Sequence, residues 1–294
     1  MRVAAIQLTS GADREANLER ALEQVERAVT AGAELIVLPE YVDYLGPAER
    51  AWELAAPIPG PTVDAFAVVA RQAGVWIVAG SVWERAPEIG RRCYNTSVLL
   101  DPAGAVAARY RKVHVFDVHL GEVDGHESEF VAAGDEVVVA PVDGLTMGLS
   151  VCYDLRFPEV YRAQALLGAQ AFLVPSSFRL ETGRDHWEVL IRARALENQC
   201  YLVAADQVGI DGRGIACYGR SMIADPWGTV LACAPDEIGF VMADIDPRRL
   251  GRLRAGFPAL ASRRDDVYGI TLRERDGDRP LVPSEHRGGP RGQG

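Results

Sequence analysis

Hydrophobic residues along the chain follow two spacings, one typical of strands and one typical of helices. The runs 2–8 (RVAAIQL), 33–40 (AELIVLPE) and 75–84 (VWIVAGSVWE) are apolar and short, as buried strands are. The stretch 12–32 carries apolar residues at helical spacing and ends in Gly32, a natural helix stop. Because strands and helices alternate, the pattern predicts an α/β protein.

The second half of the chain repeats this rhythm. Strand-like runs recur at 146–154, 170–177, 200–209 and 239–246, and helix-like stretches recur at 158–169 and 186–199. The turn sequences Asp101–Gly104 and Asp225–Gly228 lie between apolar runs and predict hairpins. Hairpins create antiparallel pairs, so we expect mixed sheets, each covered by helices on one face.

The composition changes towards the C-terminus. Residues 1–272 contain no linker-like stretch, and we expect them to form one domain. From Arg273 onwards the sequence is polar and rich in Gly, Pro and Arg. Such a segment has little apolar surface to bury, so residues 273–294 are predicted to be a mobile tail.

Composition and charge place the chain among ordinary globular proteins. Hydrophobic residues make up 48% of the 294 residues, so a sizeable core can be buried. The formal net charge of -10 disfavours nucleic acid as a general partner, because an acidic surface repels phosphate backbones. No apolar run approaches the ~18 residues of a membrane span, and the N-terminus lacks a signal-peptide pattern. Neither a membrane partner nor export is expected.

The cysteines indicate a reducing compartment. They are odd in number, widely spaced and without a C-x-x-C pair, which argues against a disulfide framework and a structural zinc site. We therefore expect a cytoplasmic protein. No Gly-rich loop has nucleotide-binding spacing, and the histidine spacings match no common ligand pattern, so neither a cofactor nor a metal is expected.

Three residues at predicted strand ends could perform covalent chemistry. Cys152 follows the strand TMGLSV and precedes a turn into a helix, whose N–H groups favour a thiolate and a developing oxyanion. Glu40 ends the strand AELIVLPE, and Lys112 follows the strand VAARYR. Taken singly, each has an ordinary alternative, namely a core cysteine, a loop carboxylate and a solvated lysine. Together, a thiol, a base and a cation are the minimum set for acyl transfer.

The sequence around these residues resembles the nitrilase superfamily, also called carbon–nitrogen hydrolases. Its Glu-Lys-Cys triad matches Glu40 in LIVLPE, Lys112 in YRKVHVFD and Cys152 in VCYDLRFPE, in the same order. The similarity continues through 182–205 and 218–232 and covers residues 1 to about 270. The resemblance implies a four-layer α-β-β-α sandwich with two mixed β-sheets. It also implies subunits that pair as a homodimer or higher homo-oligomer.

The superfamily has a second glutamate between the lysine and the cysteine. Glu127 in GHESEFVAAGD fits its motif, with Ala133-Gly134 in place of Pro-Gly, while Glu122 and Glu129 are competing candidates. The segments HVFD, CYDLRFPE and HWEVLIRARALENQCY are most similar to the branch of omega-amidases and deaminated-glutathione amidases. That branch implies a substrate that is the side-chain amide of a short dicarboxylate.

These matches lead to an expected mechanism for a small-molecule amide. Cys152 attacks the carbonyl carbon, and Glu40 transfers the protons. Lys112 and a backbone N–H, that of Tyr153, hold the oxyanion. Glu127 orients Lys112 or the leaving group, and the reaction passes through a thioester and releases ammonia.

The substrate is less well specified by the sequence than the chemistry. A dicarboxylate monoamide needs a cation for its distal carboxylate, and Arg179, just past a strand end, is the candidate, with a solvated loop arginine as the alternative. N-carbamoyl hydrolysis and nitrile hydrolysis use the same triad and stay open. A non-catalytic binding protein on the same fold is the alternative from a different class.

Overall fold

Helices and strands alternate in the computed structural model, which describes residues 1–121, 123–274 and 277–281. Its α-helices are α1 (Arg14–Thr30), α2 (Ala51–Leu54), α3 (Pro61–Ala73), α4 (Pro158–Leu166), α5 (Leu180–Asn198) and α6 (Pro247–Gly256). Its first strands are β1 (Arg2–Gln7), β2 (Leu35–Val37), β3 (Trp76–Arg85), β4 (Cys93–Leu100), β5 (Val106–Arg111), β6 (Asp117–Leu120), β7 (Val123–His126), β8 (Val138–Val142) and β9 (Leu145–Leu149). The remaining strands are β10 (Ala171–Ser176), β11 (Tyr201–Asp206), β12 (Val208–Ile210), β13 (Ala216–Tyr218), β14 (Met222–Ala224), β15 (Val230–Cys233), β16 (Gly239–Asp244), β17 (Ile270–Glu274) and β18 (Gly277–Leu281).

Two six-stranded sheets form the centre of the fold. The first has the order β16-β1-β2-β3-β4-β5 and the second has the order β15-β14-β11-β10-β9-β8. The crossovers through α1 and α3 make β1, β2 and β3 parallel, and those through α4 and α5 make β9, β10 and β11 parallel. The predicted hairpins add antiparallel strands at the edges, so both sheets are mixed.

The sheets pack face to face, with helices on their outer faces. Alternate residues of β1 point in opposite directions. Val3 and Ala5 pack in the core shared with the second sheet, whereas Ala4 and Ile6 pack in the core beneath α1 and α3. Trp187 of α5 is fully buried against the second sheet. The predicted four-layer α-β-β-α sandwich is confirmed.

Several helices and strands within the described residues were not predicted from the sequence. The hairpins β6–β7, β12–β13 and β17–β18 have short or polar strands, and α6 is polar, so none shows a clear apolar period. The hairpin β17–β18 occupies part of the segment interpreted as a tail. Residues 282–294 lie outside the described residues, so their mobility stays a prediction.

Helix length and polarity test the expectation that the chain has no membrane-spanning run. The 19-residue helix α5 is the longest that the structure describes, and charged residues occur along it. Across the described ranges, no helix combines the length and apolar character needed to cross a bilayer.

Candidate active site

The position of Glu40 is set by the loop that follows β2. This loop crosses β3 where Gly80 adopts a φ of +56°, and a Cβ at that glycine would lie 2.0 Å from the Pro39 carbonyl oxygen. Only glycine permits so close an approach. The Glu40 N–H donates to the Ser176 carbonyl (3.2 Å), and Gln207 Nε2 donates to the Glu40 carbonyl (2.9 Å). Strand ends of the second sheet therefore fix a residue of the first.

Lys112 lies directly after β5 and is 2% exposed. Its Nζ donates to Glu40 Oε1 (2.9 Å) and to Glu127 Oε1 and Oε2 (3.0 and 2.8 Å). Gly134 passes so near the preceding strand that a Cβ would lie 2.2 Å from the Arg111 carbonyl oxygen. Its N–H donates to the Lys112 carbonyl (2.8 Å). This contact gives a physical reason for the glycine in the motif around Glu127.

The charges of Lys112 and Glu127 stabilise each other. Burial alone would lower the pKa of Lys112, but the Glu127 and Glu40 carboxylates outweigh it and raise that pKa well above its usual value. Burial alone would raise the pKa of Glu127, but Lys112, the Tyr41 hydroxyl and the Phe116 N–H lower it. Both groups are therefore charged at neutral pH.

Cys152 begins a 3-10 helix, Cys152–Arg156, in the left-handed backbone region with a φ of +47°. Asp154 holds this turn. Its fully buried Oδ2 accepts bonds from the Val151 N–H and the Tyr110 hydroxyl, both at 2.8 Å, and its Oδ1 faces His114 Nδ1 at 2.7 Å. These partners come from β5, the loop after it and the segment between β9 and Cys152, so they fix where the thiol points.

Asp154 and Arg156 are only two residues apart, but they form no ion pair with each other. Asp154 turns into the core, whereas Arg156 turns towards the cavity. The Arg156 guanidinium lies 5.0 Å from the Phe178 ring centre, and its Nη1 is 3.0 Å from His186 Nδ1. The two side chains leave the 3-10 turn in different directions.

The Cys152 thiol is not a preformed thiolate. Burial raises its pKa, and the Glu40 carboxylate raises it further, while Lys112 and the Ser177 N–H lower it less than this. In the resting protein burial and Glu40 thus outweigh the groups that favour the thiolate. A thiol in this setting needs a base to accept its proton, and Glu40 is the neighbouring carboxylate.

One cavity of about 180 Å³ collects every residue that the sequence predicted for the site. Its lining includes Glu40, Lys112, Glu127, Cys152, Tyr153 and Arg179. Of the competing glutamates, Glu129 is exposed and Glu122 lies outside the described residues. The cavity therefore brings together residues separated by more than 100 positions in the sequence.

The structure adds residues that sequence reasoning missed. Asn95 Nδ2 donates to Glu40 Oε1 (2.7 Å), and the Tyr41 hydroxyl donates to Glu127 Oε1 (2.5 Å). Arg213 also lines the cavity. A polar residue inside the apolar strand CYNTSVLL was the available signal for Asn95. Tyr41 and Arg213 gave no such signal, because tyrosine and arginine are ordinary residues in loops.

Comparison with known proteins identifies the family. The family model described as carbon-nitrogen hydrolase matches residues 2–255. The chain belongs to this family. It is 42% identical over 275 residues to the human deaminated glutathione amidase, an alignment that covers 91% of this chain and 83% of that protein. The predicted membership of the nitrilase superfamily is thus confirmed, and the protein is a carbon–nitrogen hydrolase of the amidase type.

Solved structures agree with this family assignment. Saccharomyces cerevisiae Nit3, a member of branch 10 of the nitrilase superfamily, superposes with a TM-score of 0.82 at 30% identity, covering 90% of this chain and 96% of that one. A mutant of the amidase from Nesterenkonia sp. AN1 has a TM-score of 0.77 at 28% identity, covering 91% and 95%. That mutant shows covalent addition of the acetamide moiety of fluoroacetamide at its active site cysteine.

Proposed function

We propose that this carbon–nitrogen hydrolase cleaves a small-molecule carboxamide through a thioester on Cys152 and releases ammonia. The observation that carries the proposal is the convergence of a thiol, a carboxylate and a buried ammonium in one cavity. These are a nucleophile, a base and an oxyanion partner. The cysteine adduct in the Nesterenkonia amidase supports the same role for Cys152.

Acylation begins with transfer of the thiol proton to Glu40. Among the described residues, the side-chain bonds from Asn95 and Lys112 both reach Glu40 Oε1, which leaves Oε2 for the thiol. The Cys152 sulfur then bonds to the amide carbon, and the carbonyl π electrons move to oxygen. The Lys112 ammonium and the Tyr153 N–H, the first after the nucleophile in the 3-10 turn, hold this oxyanion.

Collapse of the tetrahedral intermediate breaks the carbon–nitrogen bond. Glu40 returns its proton to the leaving nitrogen, so ammonia departs and a thioester remains. Glu40 then takes a proton from water, whose oxygen attacks the thioester carbon. The acid leaves, the proton returns to the thiolate, and the free thiol is restored.

Glu127 is assigned the orientation of Lys112 and not proton transfer. Its carboxylate accepts bonds from Lys112, the Tyr41 hydroxyl and the Phe116 N–H, so its oxygens are occupied. Each of these bonds favours the charged form. A carboxylate held in this way is a poor base, whereas it fixes the ammonium firmly.

The proposed substrate is the omega-amide of a short dicarboxylate or keto acid, with Arg179 as the anchor of the distal carboxylate. The name of the human relative, deaminated glutathione amidase, supports hydrolysis of an amide. A panel of half-amides, N-carbamoyl amino acids and nitriles, read by ammonia release, tests the proposal. Fastest turnover on a half-amide is expected, and fastest turnover on a ureido acid or a nitrile would contradict it.

Glu40→Gln is expected to reduce turnover of a half-amide by about 10²–10⁴-fold, the scale of general acid–base catalysis. The glutamine keeps the shape and the Oε1 acceptor but cannot accept the thiol proton. The measurement is kcat from ammonia release. Glu129→Gln, an exposed change close to Glu127, is the matched control and should keep full activity. Near-normal turnover by Glu40→Gln would exclude it as the proton shuttle.

We further propose that the protein is a homodimer that covers an exposed apolar patch. Leu196, Trp227 and Phe257 are 49%, 56% and 55% exposed, and the Trp227 and Phe257 rings are 5.8 Å apart. Sedimentation velocity should find a dimer that Trp227→Glu converts to a monomer. Val68→Glu replaces another exposed apolar residue, on α3, and should leave the dimer intact. A monomeric parent protein would contradict the proposal.

A further inference from the structure

The turn between β12 and β13 presents Arg213 to the active-site cavity. Asp211 Oδ1 accepts the N–H groups of Arg213 (2.7 Å) and Ile215 (3.1 Å). Asp211 Oδ2 accepts Arg213 Nε (3.0 Å) and Nη2 (2.6 Å). The Gly212 N–H also donates to the Leu45 carbonyl (3.0 Å), which fastens the turn to a neighbouring loop. The guanidinium is therefore held in place before any substrate binds.

Arg179 lines the same cavity and has neutral contacts. Its Nη2 donates to the Asp124 backbone carbonyl, and its guanidinium lies 5.4 Å from the Phe116 ring centre. A bridge between Arg179 and Cys217 joins the start of α5 to β13. The hairpin that presents Arg213 is therefore joined directly to the residue that carries the second guanidinium.

The first turn of α5 adds a third favourable feature. Arg179 is its N-cap residue and makes no side-chain cap bond, and Thr182 of the first turn lines the cavity. The first N–H groups of a helix lack intrahelical partners and favour a negative charge. The N-terminus of this 19-residue helix therefore favours a negatively charged group bound beside Arg179.

The charges around these two guanidiniums leave room for one anion. Burial lowers the pKa of Arg179, and the nearby Arg213 cation lowers it further, whereas Glu181 and Asp211 act less strongly in the opposite direction. Two like charges thus face one region of the cavity. The Asp211 carboxylate, whose Oδ2 accepts bonds from both Arg213 Nε and Nη2, compensates one of them. Arg179 and Arg213, with Arg156 in the same lining, place positive charge where a carboxylate can bind.

We propose that Arg213 and Arg179, with the first turn of α5, form a subsite for one carboxylate at the far end of the substrate. The inference rests on the proposed function, because it takes the amide end to lie at Cys152. It assigns a specificity-determining role to Arg213, because a planar guanidinium can donate two parallel hydrogen bonds to one carboxylate. The substrate class is then a half-amide, not a neutral aliphatic amide or a diamide.

Calorimetric titration of the Cys152→Ala protein tests the subsite without turnover. The probes are succinamate and glutaramate, and the neutral comparison ligands are succinamide and glutaramide. At least one half-amide should bind about tenfold or more tightly than its diamide, since a hydrogen bond to a charged group contributes about 1.5–3 kcal/mol. Adding Arg213→Ala should remove this preference and leave diamide binding unchanged. Equal binding of half-amide and diamide by the parent would overturn the proposal.

Two further variants keep the result interpretable. Arg179→Ala removes the other guanidinium from a different element, so it carries the same test if Arg213→Ala does not fold. Arg264→Ala removes an exposed arginine that is likewise paired with an aspartate and should change nothing. Unchanged half-amide binding in both cavity variants would overturn the subsite.

The failure of the proposed function has a different signature. If Cys152→Ala still released ammonia, the thioester mechanism would fall, and the subsite would then be tested through KM. In the active protein, Arg213→Ala should raise KM for the half-amide about tenfold or more with little change in kcat. An unchanged KM would count against Arg213 as the anchor.

Discussion

Cys152→Ala should abolish ammonia release from a half-amide and leave the protein folded. Loss of a covalent nucleophile costs on the order of 10⁶-fold in turnover, because no other group can form the acyl intermediate. The exchange removes one sulfur atom from a site with space beside it, so little packing is lost. Ammonia release from purified protein, with circular dichroism as the folding check, measures the effect.

Cys217→Ala is the matched control, because Cys217 is a second buried thiol that lines the same cavity. Burial raises the pKa of Cys217 to about 12, and Lys112 is not among the groups that mainly shift this pKa. The Cys217 sulfur lies 3.6 Å from Ser177 Oγ. This variant should keep its activity, and a thiol reagent should still label its Cys152 unless substrate is present. Activity lost in Cys217→Ala and kept in Cys152→Ala would reverse the assignment of the nucleophile.

The predictable part of the fold was the part with apolar periodicity. Runs such as RVAAIQL are too short for a buried helix and too apolar for a loop, so they could only be strands. The hairpins β6–β7 and β12–β13 contain polar residues and glycine, and tertiary contacts such as Gly212 to Leu45 hold them. Pairing of this kind has no local signal in the sequence.

The convergence of Glu40, Lys112 and Cys152 was predictable because each follows a strand-like run and because the segments around them resemble those of the nitrilase superfamily. Their supporting partners were not. Tyr41 reaches Glu127 across 86 residues and Asn95 reaches Glu40 across 55, through contacts that exist only after the sheets have packed. Asp154 and Arg156 show that proximity in sequence within a 3-10 turn does not make side chains face each other.

Lys112 has a proposed catalytic role and a structural one, and the composition of the chain sets this residue apart. It is the only lysine among the 31 lysine and arginine residues of the chain. A compact ammonium offers three donors to Glu40, Glu127 and an oxyanion, whereas the planar guanidinium of arginine would not fit this arrangement. We therefore expect Lys112→Arg to be nearly as inactive as a neutral variant.

Lys112→Met should lower turnover by about 10²–10³-fold and also destabilise the protein. It leaves the carboxylates of Glu40 and Glu127 buried without their cation, and breaking such a pair costs about 3–5 kcal/mol. In the parent protein the pKa of Glu127 is lower in the folded state than in the unfolded state. The charged carboxylate therefore stabilises the fold at pH values above the unfolded-state pKa. This stabilisation is lost as the pH falls through the folded-state pKa.

The variant should show the opposite pH dependence. Without Lys112, burial and the facing carboxylate raise the pKa of Glu127 above its unfolded value, so stability falls as pH rises through that raised value. The difference in unfolding free energy between parent and Lys112→Met should therefore be largest near pH 8 and shrink towards pH 5. Urea unfolding at both pH values measures it. An equal difference at pH 8 and pH 5 would show that the ammonium does not hold the Glu127 carboxylate in its charged form.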